Sequence, residues 1–199
     1  MLLLWILLIL YAIFLAPGSG RDEIFHALIR GDFADVEPLV VTIFSFLGVF
    51  PLLFAAILLP DRRSGSWPFV LLSLGTGAFS LLPYFYLRGR FKGLEKIVTP
   101  VWLMRGASSR SFIGIIVALF ILSLLPLTGG ISLNAYKDAF MHSSLVSVMT
   151  VDFLILVPLS WYAMKRFRGI PSPISFIPII GPALLLWQQR GEKDDERTG

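Results

Sequence analysis

Long apolar runs separated by short polar segments define the pattern of this chain. A helix needs about 20 apolar residues to cross about 30 Å of hydrocarbon. The sequence therefore predicts an all-α fold, a polytopic membrane bundle with five to six transmembrane segments and short interfacial helices. The predicted spans lie at about 1–16, 38–59, 67–87, 111–131 and 143–164, with a short or re-entrant segment at 174–187.

The apolar runs at the two ends of the predicted membrane domain, residues 1–187, are short for a membrane crossing. The run at 1–16 lacks the basic start of a secretory signal, so we expect it to be a retained span. The run at 174–187 is only about 14 residues long and contains Pro178, Gly181 and Pro182, which favours a re-entrant hairpin over a crossing. The tail at 188–199 is polar and is expected to be disordered.

Two connecting segments have the pattern of short interfacial helices. Residues 19–31 place Ile24, Phe25, Leu28 and Ile29 on one helical face, with Ser19 as the expected cap. Residues 133–141 precede the fifth span and are expected to lie along the membrane surface in the same way.

The composition agrees with lipid as the solvent. The chain is 56% hydrophobic and 15% charged, whereas a soluble domain is about 45–50% apolar and about 25% charged. It contains no cysteine, which excludes disulfides, thiolate metal sites and a cysteine nucleophile.

The distribution of basic residues predicts an orientation. The loop 88–110 holds six Lys and Arg residues against one acid. With six crossings, this loop shares a side with 17–37 and 165–173, and the positive-inside rule predicts the cytoplasmic or stromal side. The net charge of +4 does not indicate a nucleic-acid partner, because the basic residues lie in short loops between apolar runs.

Asp152 is the polar residue that the sequence singles out, because it lies near the middle of the fifth span. An ionised carboxylate at this depth costs about 2.5–3.5 kcal/mol on insertion scales. It is therefore expected to face the bundle interior and to be paired or protonated. Pro158 leaves the carbonyl of Leu154 without its helical partner, and a broken helix beside a buried acid is one way in which transporters build ion sites. The simpler interpretation is an acid that holds helices together.

Hydroxyl and small side chains supply the expected environment of this acid. The candidate hydrogen-bond partners are Thr42, Ser45, Ser73, Thr76 and Ser80. Ser73 and Gly77 are spaced four residues apart within the third predicted span, a pattern that allows two helices to pack closely.

Other polar residues are weaker candidates. His26, on the first interfacial segment, and His142, before the fifth span, could each ligate the metal of chlorophyll or haem. Asp32, Asp35 and Glu37 precede the second span but lack a metal-loop pattern, so a solvated loop is expected. The sequence contains no Walker, G-x-S-x-G, H-E-x-x-H or C-x-x-C motif, and an enzyme is not predicted.

Several short stretches carry a resemblance to a known family. They lie at 10–18, 58–61, 81–88, 148–153 and 176–182. Together they resemble a family of uncharacterised polytopic membrane proteins of cyanobacteria with chloroplast relatives. The resemblance implies a plasma or thylakoid membrane and no known reaction or catalytic residue.

Three hypotheses about function follow. The first is a non-enzymatic accessory or assembly factor of a larger, photosynthetic membrane complex, with the lipid bilayer and other membrane subunits as partners. The second is a small proton- or ion-coupled transporter or channel that uses Asp152. The third is a pigment-binding protein with chlorophyll on His26 or His142.

Overall fold

The fold of the chain is entirely helical. The computed structural model describes residues 1–17, 22–34, 36–62, 64–88 and 90–198, and this part contains no strand. The all-α prediction is therefore confirmed for the described residues. The α-helices are α1 (Leu2–Leu10), α2 (Glu23–Arg30), α3 (Pro38–Leu58), α4 (Trp67–Thr76), α5 (Ala78–Leu87), α6 (Val101–Ser108), α7 (Arg110–Ser123), α8 (Leu133–His142), α9 (Ser144–Ala163) and α10 (Ile180–Thr198).

Three helical segments of the described chain are long and apolar enough to cross a membrane. They run over Pro38–Leu58, Arg110–Gly129 and Ser144–Arg168, where a 3-10 turn extends α7 and a π turn extends α9. Helix α1 continues as a π turn to Leu15 and is shorter. The predicted count of five to six spans is therefore not confirmed.

Helix α3 forms the centre of the bundle and packs against α4, α7 and α9. It begins at Pro38, where the Glu37 carboxylate accepts hydrogen bonds from the Leu39 and Val40 amides. Phe46, Phe50 and Phe54 are buried along it and contact aromatic rings of the neighbouring helices. Pro51 lies inside α3 and does not end it.

The predicted third span, 67–87, is two helices that form a hairpin rather than one crossing. Helices α4 and α5 meet at Gly77, whose φ of 55° and ψ of −128° reverse the chain. Phe69 of α4 lies beside Tyr84 of α5, with ring centroids 5.5 Å apart. Arg88, after α5, forms a 2.7 Å ion pair with Asp61, before α4. The segment thus returns to the end of the bundle from which it started.

The segment at 174–187 also forms a hairpin, the alternative that its length favours. After α9, the chain runs back along that helix, so that the Phe176 ring stacks on Trp161 at 5.2 Å. It turns at Ile179, which has a φ of 61°, and α10 returns to the end at which α9 finished. Helix α10 continues to Thr198, so the backbone of the predicted disordered tail is helical as far as that residue.

The loops lie at two ends of the bundle. Their grouping differs from the predicted one, which placed 17–37 on the same side as 88–110 and 165–173. We call one the arginine end: it holds the connections 60–66 and 90–109, the last turn of α9 and residues 188–191 of α10. The other, the Asp22 end, holds α2, α8 and the start of α3 and α9. The Thr99 amide donates to the Arg62 carbonyl, which brings the described residues of 60–66 and 88–110 together. The Ser132 amide donates to Glu37 Oε1, which brings the described residues of 17–37 beside the start of α8.

With the loops grouped in this way, the two ends of the bundle differ more in basic residues than the two sides of the six-crossing arrangement do. Segments 17–37 and 131–142 contain three of the chain's 17 Lys and Arg residues. The other basic residues of the sequence belong to segments 60–66, 88–110, 165–173 and 188–199, whose described parts meet at the arginine end.

Candidate functional site: the tip of the α4–α5 hairpin

Asp152 of α9 lies against the tip of the α4–α5 hairpin. Its Oδ1 accepts a hydrogen bond of 2.8 Å from the Ala78 amide, the first residue of α5, and the side chain is buried. The first amides of a helix lack intrahelical acceptors and carry the positive end of its dipole. Asp152 therefore caps a helix that lies 74 residues away in the sequence.

Gly77 allows this close approach. A Cβ built on Gly77 would overlap Asp152 Oδ2, so only a residue without a side chain fits beneath the carboxylate. The prediction placed Gly77 inside one continuous helix, whereas it lies between α4 and α5, and the close approach that it permits is to Asp152 of α9. Ser73, its predicted companion, is buried in α4.

The five candidate hydroxyl partners of Asp152 form hydrogen bonds with other groups nearby in the sequence. Thr76 Oγ1 donates to the Leu72 carbonyl, so Ser80 Oγ donates to Thr76 Oγ1. The remaining three also donate to backbone carbonyls of their own helix: Thr42 to Pro38, Ser45 to Val41 and Ser73 to Val70. The partner that the structure gives Asp152 is a backbone amide, which no side-chain pattern could reveal.

A groove of about 570 Å³ opens beneath the hairpin tip. The hairpin reverses at Gly77, so the space between α3 and α9 on the Asp22 side of the tip holds no helical segment of the hairpin. Asp152 is one of the residues that line this groove, and its walls also include Ser45 and Gly48 of α3 and Thr76 of α4. Gly48 has open space around the position of a Cβ.

The two histidines lie at the Asp22 end, on short helices outside the three long ones. His26 is on the exposed side of α2 and contacts the Phe25 ring. His142 ends α8, and its Nδ1 lies 2.9 Å from the Asp138 carbonyl and 3.2 Å from its Oδ1. The pigment-ligand role of either residue stays a prediction.

The acids before α3 do not form a metal site in the described chain. Asp32 is exposed, Glu37 caps α3, and Asp35 lies outside the described residues. Among the residues that the structure describes, no group of three or more His, Asp or Glu side chains could hold a metal ion.

Asp22 is a second bridging acid. The sequence pattern places it three residues after the expected cap, Ser19, but does not predict its bridge to α9. Its Oδ1 accepts from the Phe25 amide and caps α2, whereas Ser19, the expected cap, lies outside the described residues. Its Oδ2 accepts from Ser143 Oγ at 2.8 Å and from the Leu145 amide at 3.1 Å, at the start of α9. Partial burial raises the pKa of Asp22, but the hydrogen bonds outweigh it and hold the pKa below 3.8.

Comparisons with known proteins add no assignment to this geometry. No family model, curated protein or solved structure matches the chain.

Proposed function

We propose that this chain is a non-enzymatic integral membrane protein that acts as an accessory or assembly factor of a larger membrane complex. The observation that carries the proposal is the groove beneath the hairpin tip. Its walls combine apolar side chains, such as Leu47 and Phe79, with small and hydroxyl-bearing residues, including Ser45, Gly48 and Thr76. Membrane helices associate through such residues, because small side chains let backbones approach and hydroxyls bond across the interface. A transmembrane helix of a partner subunit would fill this space.

A filled groove tests the proposal. Gly48→Phe places a large side chain in the groove, and the open space at its Cβ position predicts that the chain still folds. Gly106→Phe is the matched control, since Gly106 also has open space but lies on α6 at the arginine end. In native gels after mild detergent extraction, the wild type and Gly106→Phe should migrate in a complex, and Gly48→Phe as a free monomer. Migration of the wild type as a free monomer would contradict the proposal.

The proposed setting is a cyanobacterial plasma or thylakoid membrane, which rests on the family resemblance. The arginine end is proposed to face the cytoplasm or stroma. Its support is the positive-inside rule together with the concentration of basic residues in the segments of that end.

A second candidate function, proton- or ion-coupled transport, is favoured by the position of Asp152 at a helix break inside the groove. Asp152→Asn keeps an oxygen that can accept from the Ala78 amide but removes the carboxylate. Coupled uptake into vesicles should be abolished in this variant with the fold intact, while Asp138→Asn at the exposed surface should transport normally. Unchanged flux in Asp152→Asn would remove this candidate.

A further inference from the structure

One oxygen of the Asp152 carboxylate has no hydrogen-bond donor in the described chain. Oδ1 accepts from the Ala78 amide, whereas Oδ2 makes no hydrogen bond with the described residues. Oδ2 lies beside Gly77, and both residues line the groove beneath the hairpin tip. Asp152 is only 5% exposed, and buried polar side-chain atoms are as a rule hydrogen-bonded. Oδ2 is therefore an acceptor at the wall of the groove for a donor that the described chain does not supply.

The Ala78 amide compensates the charge of Asp152 only in part. It lies at the start of α5, and a helix N-terminus is equivalent to about half a positive elementary charge. The described residues that line the groove include no Lys, Arg or His; apart from Asp152 they are apolar, glycine or hydroxyl-bearing. Hydroxyl groups can donate to a carboxylate but bring no charge. The groove therefore lacks a positive group.

The position of Asp152 in a long apolar helix makes this charge costly. The residue belongs to the segment Ser144–Arg168, which is long and apolar enough to cross a membrane. Ionised side chains in such segments almost always pair with other groups. Since a partner helix is proposed to fill the groove, that helix is in place to supply the missing charge.

The groove also sets the depth at which this charge would lie. Asp152 is eight residues after Ser144, the first residue of α9, which is about 12 Å along the helix axis. Leu145 and Val148 line the groove over this stretch of α9, and Phe33 lines it from the segment before α3. A helix lying in the groove therefore reaches Asp152 about two turns from the Asp22 end of the bundle.

We propose that the partner helix carries a lysine or arginine whose side chain donates to Asp152 Oδ2, about two turns from the Asp22 end of the bundle. The inference rests on the proposed accessory function and names the chemistry of the partner that fills the groove. Oδ1 keeps the Ala78 amide, so the hairpin tip and the partner share one carboxylate. Asp152 thereby selects the partner, because an uncharged helix in the same groove would leave a buried charge without its full compensation.

The complex that the wild-type chain forms in mild detergent tests the inference. Its dissociation constant is measured by dilution followed by native gels. Asp152→Asn keeps an acceptor for the Ala78 amide but removes the charge, and should raise the dissociation constant about tenfold, which is at the lower end for hydrogen bonds to charged groups. Asp138→Asn, at an exposed pair with His142, is the control and should leave the constant unchanged. An unchanged constant in Asp152→Asn overturns the inference.

Substitutions in the partner distinguish pairing from a structural role of Asp152. The subunits of the complex are identified by mass spectrometry, and each Lys or Arg within their transmembrane segments is replaced by Met. One replacement should weaken the complex with the wild-type chain about tenfold and add little with Asp152→Asn, because both changes remove the same pair. The first comparison uses the wild-type chain, so it is valid even if Asp152→Asn does not fold.

The outcomes separate this inference from the accessory function. Equal effects of every replacement with the wild-type chain and with Asp152→Asn overturn the inference and leave the accessory function in place. Subunits without a basic residue in any transmembrane segment do the same. A wild-type chain that forms no complex contradicts both.

Discussion

Gly77 and Asp152 depend on each other at the tip of the α4–α5 hairpin. The backbone of Gly77, with a φ of 55° and a ψ of −128°, is one that residues with a side chain rarely adopt. The position that a Cβ would occupy on this residue overlaps Asp152 Oδ2. Two independent physical reasons therefore require glycine at this position.

We predict that Gly77→Ala lowers the free energy of unfolding by about 2–4 kcal/mol, because backbone strain and overlap with Asp152 both act on the folded state. Thermal or chemical unfolding in detergent measures the loss. Gly75→Ala is the matched control, since Gly75 lies inside α4 with open space at its Cβ position. It should leave stability unchanged or raise it by up to about 1 kcal/mol, and equal effects of the two substitutions would contradict this account.

Asp22 links the starts of two helices through one carboxylate, and its stabilising effect should depend on pH. Its folded pKa lies below the ordinary value of 3.8, so the ionised form is the one that the fold prefers. The contribution is fully present above the unfolded pKa and is lost as the pH falls through the folded pKa.

At pH 7 we therefore expect Asp22→Asn to be less stable than the wild type by up to about 1 kcal/mol, because Asn can still cap a helix but lacks the negative charge that a helix N-terminus favours. The difference should vanish as the pH falls below 3.8. Unfolding measured across this pH range provides the check. Asp138→Asn is the control, because its exposed pair with His142 should contribute little. A difference between Asp22→Asn and the wild type that persists in acid would refute this explanation.

At the scale of elements, the α4–α5 hairpin depends on a contact from outside itself. Its tip contributes the Ala78 amide, and α9 supplies the acceptor. Trp5 of α1 adds a second link, because its Nε1 donates to the Phe79 carbonyl at 2.9 Å. Two backbone groups at the start of α5 are thus hydrogen-bonded to side chains of two other helices, α9 and α1.

Asp152→Ala should loosen this element. Removing the cap should cost about 1–2 kcal/mol and speed amide hydrogen exchange in the first turn of α5, while α3 keeps its protection. Asp152→Asn retains an acceptor oxygen and should increase the exchange rate less. Comparison of the two variants therefore separates the effect of the cap from that of the charge. Hydrogen exchange followed by mass spectrometry makes the comparison. Equal exchange in the wild type and Asp152→Ala would show that the cap does not hold the hairpin.

The hairpin could not be predicted from the sequence of its own residues. Residues 67–87 have the length and hydropathy of a crossing helix, and Gly77 fits the small-residue spacing of packed membrane helices. Both patterns are local. At the reversal the Ala78 amide bonds Asp152, which is 74 residues away in the sequence and lies there because α9 packs beside the hairpin.

For the whole molecule, the grouping of loops makes a prediction that distinguishes the structure from a chain of six crossings. The absence of cysteine allows single cysteines to be placed at exposed positions. Arg62→Cys and Val98→Cys lie in the two loops that meet at the arginine end, and Lys137→Cys lies on α8 at the other. A membrane-impermeant thiol reagent should label Arg62→Cys and Val98→Cys from one side and Lys137→Cys from the opposite side.

The six-crossing arrangement gives a different result, because it separates 60–66 from 88–110. Labelling of Arg62→Cys and Val98→Cys from opposite sides would therefore contradict the hairpin at 67–87. The wild-type chain, which carries no thiol, is the control for background labelling.

The sequence by itself determined that the chain is helical and contains segments of membrane length, because an apolar solvent requires backbone groups to bond within helices. It also singled out Asp152, since a carboxylate in an apolar helix demands compensation. Only the tertiary structure decided that Gly77 reverses the chain, that an amide compensates Asp152, and that Arg168 and Arg190 meet on Ala56. The contacts of Asp152 and of the two arginines join residues far apart in sequence, and the packing of whole helices brings them together.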